Sequence, residues 1–129
     1  WDKLLAPTHT VTGLSEYAVS KLANVLHAKE LAKRLASKNI TTYSLHPGVV
    51  ASDVWRAVPW PFRRLIKRFM LTVEDGAKTT LYCATSVATG SETGLYYDKS
   101  TVRTPSQLAQ DEALASELWT RSAQMVGLA

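Results

Sequence analysis

Apolar or small residues recur at Ala18, Leu22, Val25, Leu26, Ala32 and Leu35, close to the 3.6-residue period of an amphipathic helix. Lys29, Glu30, Lys33, Arg34 and Lys38 interleave with them and read as its wet side. Ser15 has the chemistry of an N-cap, so the pattern predicts a helix over 16–37. Lys38-Asn39 should stop it, because asparagine tolerates the left-handed conformation that ends helices. Residues 1–14, with Pro7, Gly13 and several threonines, read as a leader loop. Ile40 to His46 is rich in β-branched and aromatic residues and predicts a strand, cut off by Pro47-Gly48. A long helix feeding a strand through a short turn is one step of an α/β fold.

The pattern weakens over 53–71, where Pro59-Trp60-Pro61 interrupts it and a short helix from Phe62 to about Leu71 is expected. Thr72-Val-Glu-Asp75 has capping-box spacing, with Asp in place of the usual Glu. It predicts a second helix to about Ala88, with Ala77, Leu81 and Ala84 on the apolar side. Gly90 and Gly94 bracket a turn before a short strand, Leu95-Tyr96-Tyr97. Thr104-Pro-Ser-Gln107 is another capping pattern with proline at the first helical position. The last helix, restarting near Asp111, carries Leu114, Leu118, Trp119 and Met125 and stops at Gly127.

Composition bounds the function classes. The 129 residues, 46% hydrophobic, suit one domain or less, and no apolar run is long enough to span a bilayer. Fifteen basic and eleven acidic residues leave a net charge of +4, too modest to argue for nucleic acid without a binding motif. The single cysteine, Cys83, excludes an internal disulfide and sits on a helix's apolar side, as core rather than as a reactive thiol. His9, His27 and His46 are too scattered for a metal signature, so no metal is expected.

Candidate chemistry concentrates in Tyr17-Ala-Val-Ser20-Lys21. Residues four apart share a helix face, with Cβ atoms about 5–6 Å apart, so phenol and ammonium can look into one pocket. A free phenol holds its proton up to a pKa of about 10, and a nearby cation favours the phenolate. Such a phenol can exchange a proton with an alcohol or carbonyl oxygen near neutral pH. Ser20 and Lys21 are adjacent and diverge by about 100° on a helix, which rejects a Ser-Lys nucleophilic dyad. In open parallel sheets ligands bind beyond the carboxyl ends of strands, where Pro47-Gly48-Val49-Val50-Ala51-Ser52 lies. Ser52 also suits the cap of a helix starting near Val54.

Tyr17-x-x-Ser20-Lys21, a helix, a strand, then Pro47-Gly48-x-Val50-x-Ser52 resembles the short-chain dehydrogenase/reductase family. The likeness is closer to its retinol-dehydrogenase-like branch, where phrases similar to Ser20-Lys21-Leu-Ala-Asn24-Val, Leu45-His46-Pro-Gly-Val-Val50, Glu74-Asp-Gly-Ala77 and Leu118-Trp119 recur in this order. Tyr-x-x-x-Lys alone is a weak motif; the ordered set spans nearly the whole chain. The resemblance implies the carboxyl-terminal half of a Rossmann-like, doubly wound parallel sheet, within a single NAD(P)-binding domain. It implies an oxidoreductase that moves a hydride between a nicotinamide cofactor and a lipophilic alcohol or carbonyl compound. By the same likeness Tyr17 is the catalytic acid/base. Lys21 hydrogen-bonds the nicotinamide ribose and assists the phenol. Pro47, Gly48, Val49 and Val50 line the nicotinamide, and Ser52 contacts its carboxamide or the pyrophosphate. The cofactor is NADP or NAD, with NADP preferred.

Other family features have no counterpart here. The glycines, at 13, 48, 76, 90, 94 and 127, form no G-x-G-x-x-G-like turn. The family's serine, a dozen or more residues before the tyrosine, would fall near Leu4 and Leu5 or earlier, and its upstream asparagine is missing too. The expectation is therefore half of a site, unable to catalyse alone. The basic, aromatic stretch 53–71, including Arg56, Trp60, Arg63, Arg64, Lys67 and Phe69, corresponds to the substrate lid. A peripheral membrane contact and a solvated helix are its alternatives. The rival function is a non-catalytic partner module, homodimeric through helix 16–37. Localisation, cytoplasmic or membrane-associated, is left open.

Overall fold

The computed structural model describes residue 7 and residues 13–51 and 68–128. Helix α1 spans Leu14–Leu35 and strand β1 Tyr43–His46. Helix α2 spans Val73–Thr85, strands β2 and β3 Leu95–Asp98 and Thr101–Val102, and helix α3 Glu112–Met125. Single 3-10 turns follow α1 and α2 and precede α3. The helix expected over 62–71 falls mostly on residues outside those described.

α1 begins one residue before Ser15. Gly13 is its N-cap, in the left-handed conformation (φ 64°), and its carbonyl accepts from the Tyr17 N–H at 2.9 Å. Glycine makes that reversal without a Cβ penalty, so the Ser15 hydroxyl is not used as a cap and instead donates to Glu16 Oε2 at 3.0 Å. The other end matches expectation, with Asn39 at φ 54° after the turn Ala36–Lys38. One reversal concerns Glu30, which belongs to the expected wet side yet is 5% exposed. Arg34, one turn on, pairs with its Oε1 at 2.8 Å. Arg34 also lies over the Trp119 ring, 4.6 Å from the centroid, so α3 covers that side of α1. Oε2 of Glu30 has no hydrogen-bond partner among the described residues.

The sheet runs β1-β2-β3. β1 and β2 are parallel, Tyr43 opposite Leu95 through His46 opposite Asp98. β3 returns antiparallel, so the sheet is mixed where a parallel one was expected. The cause is a tight hairpin whose two turn residues, Lys99 and Ser100, both have positive φ (51° and 57°). Neither is the Asn or Gly that normally marks such a turn, which is why β3 was not legible in the sequence.

The helices flank opposite faces of this sheet. Successive strand residues point to opposite sides. Tyr97 meets Tyr82 of α2 (centroids 6.0 Å), whereas Tyr96 lines a cleft with residues of α1. Buried Tyr97 also packs edge-on against Tyr43 (5.7 Å). A second core lies between α1 and α3, where Leu26 meets Ala115 and Leu118, with Leu22, Ala23 and Leu114 around them.

α2 has its predicted cap, the Thr72 hydroxyl accepting from the Asp75 N–H at 3.1 Å, but not its predicted face. Gly76, Thr79 and Cys83 are buried, while Leu81 is 58% exposed and Ala84 is exposed too. Small residues win because backbone comes close there. A Cβ on Gly76 would stand 2.5 Å from Cγ2 of Val50, and the Thr79 hydroxyl accepts from the Ser100 N–H at 3.2 Å. Cys83 is core, as expected, and burial raises its thiol pKa. Ahead of α3, Ser106 rather than Thr104 caps the 3-10 turn Gln107–Gln110, and Asp111 caps α3, accepting from the Leu114 N–H at 2.9 Å.

Candidate active site

Tyr17 and Lys21 stand on the first two turns of α1, and the helix brings them to one face. The Lys21 ammonium lies over the Tyr17 ring, 5.1 Å from its centroid, a cation–π arrangement rather than a contact with the hydroxyl. Tyr17 is 60% exposed. Ser20 takes no part; its hydroxyl donates back to the Tyr17 carbonyl at 2.7 Å.

The carboxyl end of β1 forms the other wall. Tyr17, Lys21, Pro47 and Gly48 line one cleft of about 460 Å³, joined by Asn24, Ser44, His46 and Tyr96. Gly48 has φ +84°, and a Cβ there would stand 2.4 Å from Leu71 Cδ1. The turn therefore needs glycine both for its conformation and for the approach of Leu71. Val49 and Val50 are not in that lining. The Val49 carbonyl accepts from the Leu71 N–H and the Ala51 N–H donates to the Leu71 carbonyl, both at 2.9 Å. Val50 packs on Gly76 of α2. The segment after the turn is thus a tether to 71–76. Ser52 and residues 53–67 of the proposed lid lie outside the described residues; Phe69, just beyond them, is exposed.

Asn24, quoted in the sequence motif but given no role there, also lines the cleft. It sits seven residues after Tyr17, two helical turns along the same face, and that periodicity was the available signal. Ser44 and Tyr96 needed the sheet register to be seen, since they are neighbours only through the pairing of β1 with β2. Behind the turn, a further cleft of about 420 Å³ is lined by His46, Asp75, Lys78, Asp98 and Lys99 among others. Lys78 pairs with Asp75 at 2.5 Å. The hydrogen bond from Lys78, aided by that from Thr72, holds the Asp75 carboxyl below its ordinary range, and the same pair raises Lys78. Among the described residues no group of three His, Cys, Asp or Glu side chains is placed to hold a metal.

A tyrosine and a lysine on one helix face, opening onto a Pro-Gly turn at the end of a parallel strand, agree with what sequence comparison finds. Mouse (Mus musculus) retinol dehydrogenase 11 is 39% identical over 115 residues, covering 87% of this chain and 36% of that protein. Human (Homo sapiens) retinol dehydrogenase 12 is 38% identical over 117 residues, with the same two coverages. Bovine (Bos taurus) dehydrogenase/reductase SDR family member 13 is 38% identical over 129 residues, 93% of this chain and 34% of that protein. The chain belongs to the short-chain dehydrogenase/reductase family, in its retinol-dehydrogenase-like branch. No family model matches it. The chain spans about a third of the length of the curated relatives it matches. Its helices and small mixed sheet are compatible with part of a Rossmann-like α/β fold.

Proposed function

We propose that this chain carries the proton-transfer half of a nicotinamide-dependent oxidoreductase acting on a lipophilic alcohol or carbonyl compound. The observation that carries the reading is the single cleft shared by Tyr17, Lys21 and the Pro47-Gly48 turn. The donor set fits the nicotinamide-ribose end of a dinucleotide: an ammonium and an amide, from Lys21 and Asn24, suit ribose hydroxyls, and the turn offers backbone at the strand end. When bound, the dinucleotide supplies or accepts the hydride. Tyr17 then gives its phenolic proton to the substrate oxygen in reduction, or takes one in oxidation. Lys21 holds positive charge beside that phenol. Water leaving the cleft strengthens that interaction. The names of the relatives favour a lipophilic substrate, retinoids among the candidates, and NADP is preferred over NAD.

The test is hydride transfer from NADPH to a lipophilic aldehyde, measured on this chain joined to the glycine-rich dinucleotide-binding half of a related dehydrogenase. Tyr17→Phe should lower kcat by about 10²-fold or more, in the range of general acid–base catalysis, with little change in cofactor affinity. Lys21→Ala should lower kcat and weaken the cofactor together. Full activity in Tyr17→Phe would overturn the assignment.

A second reading, a non-catalytic partner module, is favoured by one observation: Tyr17 stands largely in solvent. Titrating NADPH into the 129-residue chain separates the two. Binding that Lys21→Ala weakens supports the oxidoreductase reading. No binding, together with association abolished by charges on α1, supports the module. Among the described residues no helix is long and apolar enough to cross a membrane.

A further inference from the structure

A separate cleft, about 620 Å³, opens between α1 and the β2–β3 hairpin, on the far side of Val25 and Tyr96 from the Tyr17 site. The apolar side chains of its floor come from Val25, Ala32, Pro105 and Ala109; Leu95 and Val102 also border it, but the strand register turns their side chains to the Tyr97 face. Gly94 shapes that floor: at φ +72°, with a would-be Cβ 3.1 Å from that of Ala32, it lets the start of β2 come close to α1. The rim is charged. Lys29, Lys33 and Arg103 supply three cations, and Glu112 the one carboxylate.

Those charges are not equally engaged. Lys33 pairs with Glu112 at 3.0 Å, while the Lys29 ammonium donates to the Gln110 carbonyl at 2.7 Å and shares the field of the same Glu112 carboxylate. Arg103 is held at the end of β3 by its backbone N–H, which donates to the Tyr96 carbonyl at 2.8 Å. Its guanidinium has no ion pair or hydrogen bond among the described residues. The rim therefore keeps a net positive charge, with Arg103 as its cation without an anionic partner among the described residues, above an apolar trough.

We propose that this cleft binds a single-chain amphiphile with an anionic headgroup, its hydrocarbon on the apolar floor and its carboxylate on Arg103 and Lys29. The volume lies within the roughly 300–1,000 Å³ of small-molecule sites, which admits one hydrocarbon chain but not a two-chain lipid. A guanidinium receives a carboxylate through two parallel hydrogen bonds, stronger than neutral ones. A polar anion such as free phosphate would leave the apolar floor unused. The assignment does not depend on the dehydrogenase reading, since the Tyr17 and Lys21 side chains line a different cleft.

The experiment is calorimetric titration of the 129-residue chain with oleate below its micelle concentration, at low salt. Oleyl alcohol, inorganic phosphate and phosphatidylserine vesicles serve as separate arms. Saturable one-to-one binding of oleate is expected, weakened about tenfold or more by Arg103→Glu and less by Arg103→Lys. Ala36→Trp, which fills the trough from an exposed position, should weaken it as well. Circular dichroism matching the parent keeps each variant interpretable, and Arg103→Gln provides a second charge removal. Equal affinity for oleate and oleyl alcohol, binding unchanged by Arg103→Glu and Arg103→Gln, binding seen only with vesicles or phosphate, or no oleate binding would each overturn the proposal.

Discussion

Single side chains show how sequence polarity and structural role part company. Tyr97 is 1% exposed, and its phenol donates to the Glu92 carboxylate. That hydrogen bond first, and burial second, raise its pKa well above the ordinary phenol value. An unfolded chain releases this proton near pH 10, while the native state holds it longer. Above about pH 10 the unfolded state therefore binds fewer protons, and stability falls as pH rises through the folded value. Tyr97→Phe should cost about 1.5–3 kcal/mol at neutral pH, the range for a hydrogen bond to a charged group, and should flatten the alkaline decline. Urea unfolding of both proteins at pH 7 and at about pH 10.5 checks this, and equal alkaline slopes would count against it. Val50 and Gly76 make a second residue-scale case. Gly76→Ala places a methyl where Val50 already is, so a loss of about 1–3 kcal/mol is expected. Val50→Ala in the same chain should recover part of it, a coupling that a double-mutant cycle reads directly.

Among the elements, caps and periodicity decided what was legible. The capping box at Thr72 and the restart at Asp111 were readable because a short polar side chain three residues before a backbone N–H has one obvious use. Thr72→Ala and Asp111→Ala should each lower stability by about 1 kcal/mol, measured as a shift in urea midpoint without a change in slope. Ser15→Ala should do almost nothing, since Gly13 starts α1 by conformation alone. The pair Tyr17 and Lys21 was legible from spacing, and so was the Pro47-Gly48 turn. What was not legible depended on partners distant in sequence. The true buried face of α2 is small because Val50 and Ser100 approach it, the burial of Glu30 depends on α3, and β3 turns on two non-glycine residues with positive φ. Hydrophobicity summed along one helix cannot register such contacts.

At the scale of the molecule, two surfaces compete to explain any self-association. α1 has one side committed within the chain: His27 stacks on Trp119 at 5.2 Å, Arg34 covers the same ring, Lys29 reaches Gln110 just ahead of α3, and Lys33 pairs with Glu112 at its start. A homodimer through this helix would have to use what α3 and the sheet leave uncovered, chiefly its amino-terminal half with Leu14 and Tyr17 exposed. β1, in contrast, is the longer of the two outer strands, and its far edge has no strand partner among the described residues. An unpaired strand edge carries a row of backbone donors and acceptors and pairs readily with another chain. Concentration-dependent association through β1 is therefore expected, and it should be suppressed by Ser44→Lys, which puts a charge on that edge. Sedimentation over a range of protein concentrations distinguishes the surfaces. Ser44→Lys should yield a monodisperse chain, while Leu14→Lys should leave association unchanged. The opposite pattern would transfer the interface to α1 and favour the partner-module reading. A monomer at every concentration would remove both surfaces.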